Sequence, residues 1–566
     1  MTDSISADRP WLSSYDAGVP LDLPPITGSL MDLLDDSVRD YPKAAALQFF
    51  GKETTYAALA DAVSRAAAGL RRLGVKKGDR VAIVLPNCPQ HIVAFYAVLR
   101  LGAVVVEHNP LYTPRELRTQ FQDHGARHAI VWNKVVATVQ EFPADLHVEA
   151  LVSVDITTAL PLHTRLALRL PAAKARESRD ALTAPVRGTR TWDDLVRTEP
   201  LPASHPRPAT DDLAVLQYTS GTTGTPKGAM LTHRNLLANA RQSQAFIPAV
   251  VRGDGCVFYA VLPMFHAYGL TLCLTFAMSM GARLVLFPKF DADMVIDAIK
   301  KHPPTVLPLV PPIAERLLAR ARETGASIRG IGIGVSGAMA LSPALVEPFE
   351  EATGGYLIEG YGLSECSPVL MVNPPADSRK TGTIGIPVPG TDARVVDPED
   401  PSRVFGVGEP GELVVRGPQV FSGYYGKPEE TEKVLEDGWF RTGDIVERDE
   451  DGFFRVVDRL KELIVTGGFN VSPSEVEATL RQHPQVADAA VVGLPDPHSG
   501  EQVVAVVIPA PGVTDLDIDD IRSFARTRLT PYKVPRRIEP VDDLPRSLIG
   551  KVLRRQVRDA LLAQKD

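Results

Sequence analysis

The chain has 566 residues, more than one hydrophobic core ordinarily supports, so two or more domains are expected. With 44% hydrophobic and 23% charged residues the composition is that of a globular protein, and a net charge of −8 excludes the basic footprint of a nucleic-acid binder. Cys88, Cys256, Cys273 and Cys366 stand far apart with no C-x-x-C spacing, which argues against a disulfide framework and a zinc site and fits a reducing cytoplasm. The first residues, MTDSISADRPWLSSYDAG, lack the basic start and apolar stretch of a secretory signal.

In chain order, Leu59, Val63, Ala66, Ala67 and Leu70 follow helical spacing up to a stop at Gly74. VAIVLP then reads as a buried strand, Pro89 onward as a helix, and AVVVEHN as another strand. Thr113-Pro114-Arg115-Glu116 opens the next helix with a capping box and a proline at its first position, and HAIVW is the strand that follows. Strands alternating with helices predict an α/β fold with parallel-rich sheets covered by helices, whose ligand sites lie at loops beyond the strand carboxyl ends.

Residues 160–180, LPLHTRLALRLPAAKARESRD, carry Arg165, Arg169, Lys174, Arg176 and Arg179 among leucines and alanines. Such a stretch reads either as a solvated excursion between domain parts or as a basic amphipathic segment in peripheral contact with anionic lipid.

The apolar run LAVLQ leads into YTSGTTGTPKG at residues 218–228. Gly221, Gly224 and Gly228 allow a tight path whose N–H groups converge on an anion, and five Ser or Thr hydroxyls and Lys227 add donors. The nucleoside-triphosphatase loop needs Gly-Lys followed by Ser or Thr, so this loop is of another kind, and by itself it reads equally as a polar surface loop. The window YGLTLCLTFAMSMGARLVLF is interrupted by Gly281 and Arg283 before it reaches membrane-spanning length, and reads as a buried helix and strand. From about Asp458 the texture changes to a compact α+β unit. It contains LKELIVTGG, a helix opened by Ser472-Pro473-Ser474-Glu475, strands ADAAVVGL and EQVVAVVIP, a helix near residues 518–529 and a terminal helix after Lys551. The expected division is 1–457 and 458–566.

Six further segments stand in order: VLPMFHAYG, SGAMAL, EGYGLSE, GWFRTGD, DRLKELIVTGGFNVSP and PRSLIGKVLRR. Together with the glycine-rich loop they resemble the adenylate-forming superfamily of acyl-CoA synthetases, luciferase-type oxygenases and amino-acid adenylation domains, from roughly Thr27 to the C-terminus. The resemblance implies an AMP-binding enzyme in which ATP converts a carboxylate into an acyl-adenylate and a thiol then displaces AMP. By the same resemblance Thr219, Ser220, Gly221, Thr222, Thr223, Gly224 and Lys227 cradle the phosphates, and Thr219 and Glu365 hold Mg²⁺, a hard cation suited to oxygen ligands. Gly337, Glu359, Gly360, Tyr361, Gly362 and Ser364 border the nucleotide, Tyr361 offering its ring to adenine. Ser364 stands where the family usually has Thr. Asp444 would accept the ribose hydroxyls, with Arg459 and Lys461 contacting the nucleotide and Lys551 acting as the adenylation lysine. His266 would gate the acyl pocket. Gly467 and Gly468 would let pantetheine pass close to the backbone. The small C-terminal domain is implied to be mobile, hinged at Asp458.

No acid follows the PMFH segment to pair a substrate ammonium, which favours an acyl chain over an amino acid. ECSPVLMVNP, GGFNVSP, YKVP and GKVLRRQVRDAL most resemble bacterial long-chain fatty-acid CoA ligases, and PMFHAYGL also resembles 4-coumarate CoA ligases. The implied co-substrates are ATP and coenzyme A. The alternatives are an aryl CoA ligase and a fatty acyl-AMP ligase or luciferase-like enzyme. The tail LLAQKD lacks the Ser-Lys-Leu address common among insect luciferases, and the chain reads as cytoplasmic.

Overall fold

The computed structural model describes residues 9–143, 146, 148–219, 226–466, 469–496, 499–513, 515–547 and 550–564. The chain divides into two compact units. One comprises Trp11–Asp392 and Arg416–Phe440; the other comprises Ala393–Val415 and Arg441–Asp566 with Arg9 and Pro10.

In the larger unit the early helix spans Tyr56–Arg72, capped by the Thr55 hydroxyl, which accepts from the Ala58 N–H at 3.2 Å. Leu59, Val63, Ala66, Ala67 and Leu70 are all buried, as their spacing predicts. Helix Pro114–His124 forms with both halves of the Thr113/Glu116 capping box and closes on Gly125 at φ 59°. These helices cross over between short strands that are buried throughout, such as Val104–Glu107 and His128–Trp132, because a parallel sheet is covered on both faces.

Two sheets result. The seven-stranded sheet runs in the order Arg190–Thr191, Ala150–Val154, His128–Trp132, Arg80–Val84, Val104–Glu107, Leu213–Thr219 and Lys227–Thr232. Every neighbouring pair is parallel except the last. The nine-stranded sheet is parallel through its centre, from Ala45–Phe49 to Tyr356–Gly362, and antiparallel at both edges. The apolar window after residue 266 folds into a buried helical run, partly a π-helix at Leu270–Thr275, followed by the strand Arg283–Leu286. No helix among the described residues is long and apolar enough to cross a membrane.

In the smaller unit the antiparallel strands Val486–Asp496 and Gly500–Pro509 form the centre. Their side chains alternate between two cores. Ala489, Val491, Val503 and Ala505 pack with Val476, Leu480 and Ile521 of helices Pro473–Leu480 and Ile518–Arg526. Ala490, Val492, Val504 and Val506 pack with Val557 and Leu561 of helix Arg554–Ala563. The cap at Ser472 departs from the sequence expectation: Ser472 accepts from the Glu475 N–H, but the Glu475 carboxylate is turned to Lys533 at 2.7 Å. A second carboxylate, Asp458, accepts from the Ser474 N–H at 3.0 Å.

Gly69 sits inside a helix, where alanine is favoured by about 1 kcal/mol. A β-carbon there would lie 2.3 Å from the Leu195 carbonyl oxygen, so overpacking of about 1–3 kcal/mol outweighs the propensity gain. Gly69→Ala is expected to lower the urea midpoint; an unchanged or raised midpoint would mean that helix Trp192–Val196 yields.

Candidate active site

The glycine-rich loop leaves the carboxyl end of strand Leu213–Thr219 and returns as the antiparallel edge strand Lys227–Thr232. Ser220, Gly221, Thr222, Thr223 and Gly224 lie outside the described residues, but the base of the loop is defined. Thr219 and Lys227 are register partners, and the Thr219 hydroxyl donates to the Lys227 carbonyl at 3.5 Å. The site therefore follows a parallel strand, as expected, and then turns back as a hairpin.

Segment 421–425 runs along this edge strand. The Ser422 N–H donates to the Met230 carbonyl at 3.0 Å, the Met230 N–H to the Gly423 carbonyl at 2.9 Å, and the Tyr425 N–H to the Gly228 carbonyl at 2.8 Å. This pairing carries Tyr424 to Lys227, whose ammonium lies 5.0 Å from the Tyr424 ring centroid and also pairs with Glu430. Hydrogen bonding to Lys227, and to Lys433, holds the Glu430 carboxyl well below the usual range. The Tyr424 hydroxyl donates to Glu365 Oε1 at 2.8 Å. Burial and the neighbouring Glu365 keep that phenol protonated, so it remains a donor. Glu365 is buried in the short turn Ser364–Cys366, and its backbone carbonyl accepts from Phe421 at 2.8 Å. One tyrosine thus joins the two residues that the sequence assigns to phosphate and metal.

Strand Tyr356–Gly362 brings Glu359, Gly360, Tyr361 and Gly362 to the same region of the chain, paired through Tyr361 with Met371. Burial raises the Glu359 carboxyl to about 8, and it accepts from the Leu341 N–H at 3.4 Å. Gly362 has a packing reason as well as the expected nucleotide one, since a β-carbon there would lie 1.9 Å from the Pro368 carbonyl oxygen. Gly337 follows strand Ile333–Ser336 and is covered by Tyr268, whose hydroxyl donates to the Val335 carbonyl at 2.6 Å. His266 caps its own short helix, its Nδ1 accepting from the Tyr268 N–H at 3.3 Å. Burial lowers the His266 imidazole to about 4, so it is neutral at pH 7.

The smaller unit gathers a second group. Strands Trp439–Arg448 and Phe454–Arg459 set Asp444 opposite Arg459, and the guanidinium meets the buried carboxylate at 3.0 Å. Lys551, beside the bridge between Arg546 and Val552, comes to the same place, although more than ninety residues separate it from Arg459. Burial and the Arg459 charge lower its ammonium to about 8, partly offset by Glu462 and Asp444. Arg554 joins Glu462 and Glu477 behind it. The backbone of Lys461 lies in the turn Leu460–Glu462, while Gly467 and Gly468 lie outside the described residues. Asp458 is buried, accepting from Ser472 and Ser474.

Sequence reasoning missed Tyr424, Glu430, Glu462 and Arg554. The segment GYYGKPEET at 423–431 holds two glycines, an aromatic pair and a proline, but only its pairing with the edge strand reveals what Tyr424 and Glu430 touch.

The geometry sets Lys227, at the base of the glycine-rich loop, near a buried carboxylate in one unit and gathers a cation–carboxylate cluster in the other. The family described as AMP-binding enzyme matches residues 34–425, and the AMP-binding enzyme C-terminal domain matches 475–551. The chain belongs to the AMP-binding, adenylate-forming enzymes. It is 38% identical over 553 residues to a long-chain-fatty-acid–CoA ligase of Bacillus subtilis, covering 98% of both chains. A long-chain-fatty-acid–CoA ligase of Escherichia coli O157:H7 is 37% identical over 98% of this chain and 99% of its own. Among solved structures, ATP-bound MatB from Rhodopseudomonas palustris superposes with a TM-score of 0.82 at 29% identity, covering 96% of this chain and 100% of that one.

The Glu430 carboxylate pairs with the Lys227 ammonium, so if Lys227 takes the phosphates of ATP the two compete for one charge. Glu430→Gln is expected to tighten ATP binding by about threefold, measured by titration in EDTA, because the partly exposed partner limits the pair to a modest strength. The gain should shrink at high salt. Weaker binding would mean that the pair positions the lysine.

Proposed function

We propose that the chain ligates a medium- to long-chain fatty acid to coenzyme A through an acyl-adenylate, releasing pyrophosphate and AMP. One observation carries the choice of acid. The residues following His266, from Ala267 through Met280, form a run without a charged side chain, nearly all of it buried. An acyl chain suits such surroundings, whereas an amino acid's ammonium would stand there unpaired.

The roles follow from charge. Lys227 and the hydroxyls of residues 219–225 take the β- and γ-phosphates. Asp444 accepts the ribose hydroxyls, and Arg459, already paired with it, faces the nucleotide. Tyr361 lends its ring to adenine. Lys551 holds the substrate carboxylate against the α-phosphate and offsets the charge that develops as the acyl–phosphate bond forms. Glu365 and the Thr219 hydroxyl are hard oxygen donors, one carboxylate and one hydroxyl, which fits Mg²⁺ with its remaining positions filled by water and phosphate; bound there, the ion would neutralise phosphate charge. His266, being neutral, moves aside for the thiol without breaking an ion pair. Gly467 and Gly468 would admit pantetheine.

The carboxyl-activating residues and the pantetheine glycines belong to one small domain, and we assign its movement between half-reactions to a hinge at Asp458. Proline locks φ. Asp458→Pro should keep ATP–pyrophosphate exchange and nearly abolish acyl-CoA formation. Because the Asp458 carboxylate also caps helix Pro473–Leu480, Asp458→Ala is the control, losing the cap alone. Equal behaviour of the two variants would reject the hinge.

ATP–pyrophosphate exchange across graded acids, followed by CoA-thiol consumption, tests the substrate. Myristate to oleate should outcompete acetate and 4-coumarate, each buried methylene adding about 0.8 kcal/mol. A cinnamate preference would move the enzyme to the aryl CoA ligases, and exchange without thiol consumption to the acyl-AMP-forming alternatives.

Lys551→Ala should cut exchange by about a hundredfold or more and spare the conversion of supplied acyl-AMP. The ammonium of free enzyme titrates at about 8, and only its charged form attracts phosphate, so kcat/KM for ATP should fall about tenfold per pH unit above that value. Glu359 titrates in the same range, and Lys551→Arg separates the two: a guanidinium does not titrate there, so the alkaline decline should disappear. A decline that persists in Lys551→Arg would assign it to Glu359.

A further inference from the structure

Residues 160–180 take no part in the site just described. They form two short helices, Leu162–Ala167 and Ala173–Leu182, neither of which buries a single side chain. Both ends of the segment are nevertheless fixed. Leu160 is buried, the Trp132 indole donates to the Leu182 carbonyl at 2.8 Å, and Lys134 donates to the Asp180 carbonyl at 2.7 Å. Leu168 packs inward between the helices. The segment is therefore an anchored arch with an open outer surface.

That surface has an unusual composition. Leu162, Leu166 and Leu170 are 69%, 54% and 58% exposed, so three large apolar side chains face solvent within nine residues. Leu162 and Leu166 are four residues apart and share a helix face. Beside them stand Arg165, Arg169, Lys174 and Arg176, for which no acidic partner within 4 Å is found among the described residues. Glu177 and Asp180 oppose five basic residues, leaving a net +3 on the segment in a chain of net charge −8.

We infer that this arch docks the enzyme on an anionic membrane surface. The leucines enter the boundary between headgroups and acyl chains, and the guanidinium and ammonium groups pair with lipid phosphates. A second copy docked arch to arch would bury the leucines but would set two segments of net +3 against each other, whereas anionic lipid matches both the charge and the leucines. The inference stands apart from the fatty-acid reading, since a vesicle assay uses neither ATP nor CoA.

The test is cosedimentation of the full-length protein with large unilamellar vesicles, either pure phosphatidylcholine or phosphatidylcholine with one quarter phosphatidylglycerol, at 50 and 300 mM NaCl. Binding is expected on the anionic vesicles at low salt, weak on the neutral ones, and reduced at high salt. At about fivefold per cation, Arg165→Gln with Arg169→Gln should weaken partitioning more than tenfold. Leu162→Ser, Leu166→Ser and Leu170→Ser together should weaken it at both salt concentrations, because that contribution is not screened. ATP–pyrophosphate exchange with a soluble short-chain acid should be unchanged in both variants. Absence of wild-type binding to anionic vesicles, or binding undiminished in both variants, overturns the proposal. So does a lipid-free dimer, detected by sedimentation velocity, that the leucine variant abolishes, since the arch would then be a self-association face.

Discussion

Neighbouring parallel strands cannot be joined by a tight turn, and the organisation of the larger unit follows from that constraint. Each strand must be followed by a crossover, which the helices Pro89–Arg100 and Pro114–His124 provide, and the loops after the strands collect at one edge of the sheet. Leu213–Thr219 joins this set as a parallel neighbour of Val104–Glu107, so its glycine-rich loop emerges at the carboxyl edge. The chain then reverses into an antiparallel strand. That reversal places Lys227 opposite Thr219 and opens an edge on which segment 421–425 can pair.

The edge pairing explains how chemistry is assembled from distant sequence. Lys227, Glu365, Tyr424 and Glu430 come from three stretches of chain, yet one aromatic ring contacts the ammonium with its face and the carboxylate with its hydroxyl. A buried carboxylate demands a donor, and Tyr424 supplies one without adding charge. A half-buried carboxylate, Glu430, supplies the partner for Lys227.

The smaller unit solves a different electrostatic problem. Lys551 is drawn partly out of water beside the like charge of Arg459, a combination that would expel an ammonium were it not for Asp444 and Glu462. Arg554 in turn neutralises Glu462 and Glu477 and ties helix Arg554–Ala563 to helix Pro473–Leu480. The alternating cores on either face of strands Val486–Asp496 and Gly500–Pro509 hold those helices in place.

The sequence by itself determined the alternation of helix and strand, the capping box at Thr113, the burial of the window after residue 266 and the order of motifs that marks the family, because each depends on periodicity or on neighbours within a few residues. Thr219, Lys227, Glu365, Asp444 and Lys551 were singled out through the family resemblance that those ordered motifs carry. Only the tertiary structure decided that Glu475 turns from its own cap to Lys533, that a side chain at Gly362 would meet the Pro368 carbonyl, and that Tyr424 and Glu430 meet Lys227. It also decided that the Arg459 guanidinium meets Asp444, across the strand pair. Those outcomes depend on strand register and on which residues meet across long separations, and side-chain pairs of that kind leave no periodic trace in a single chain.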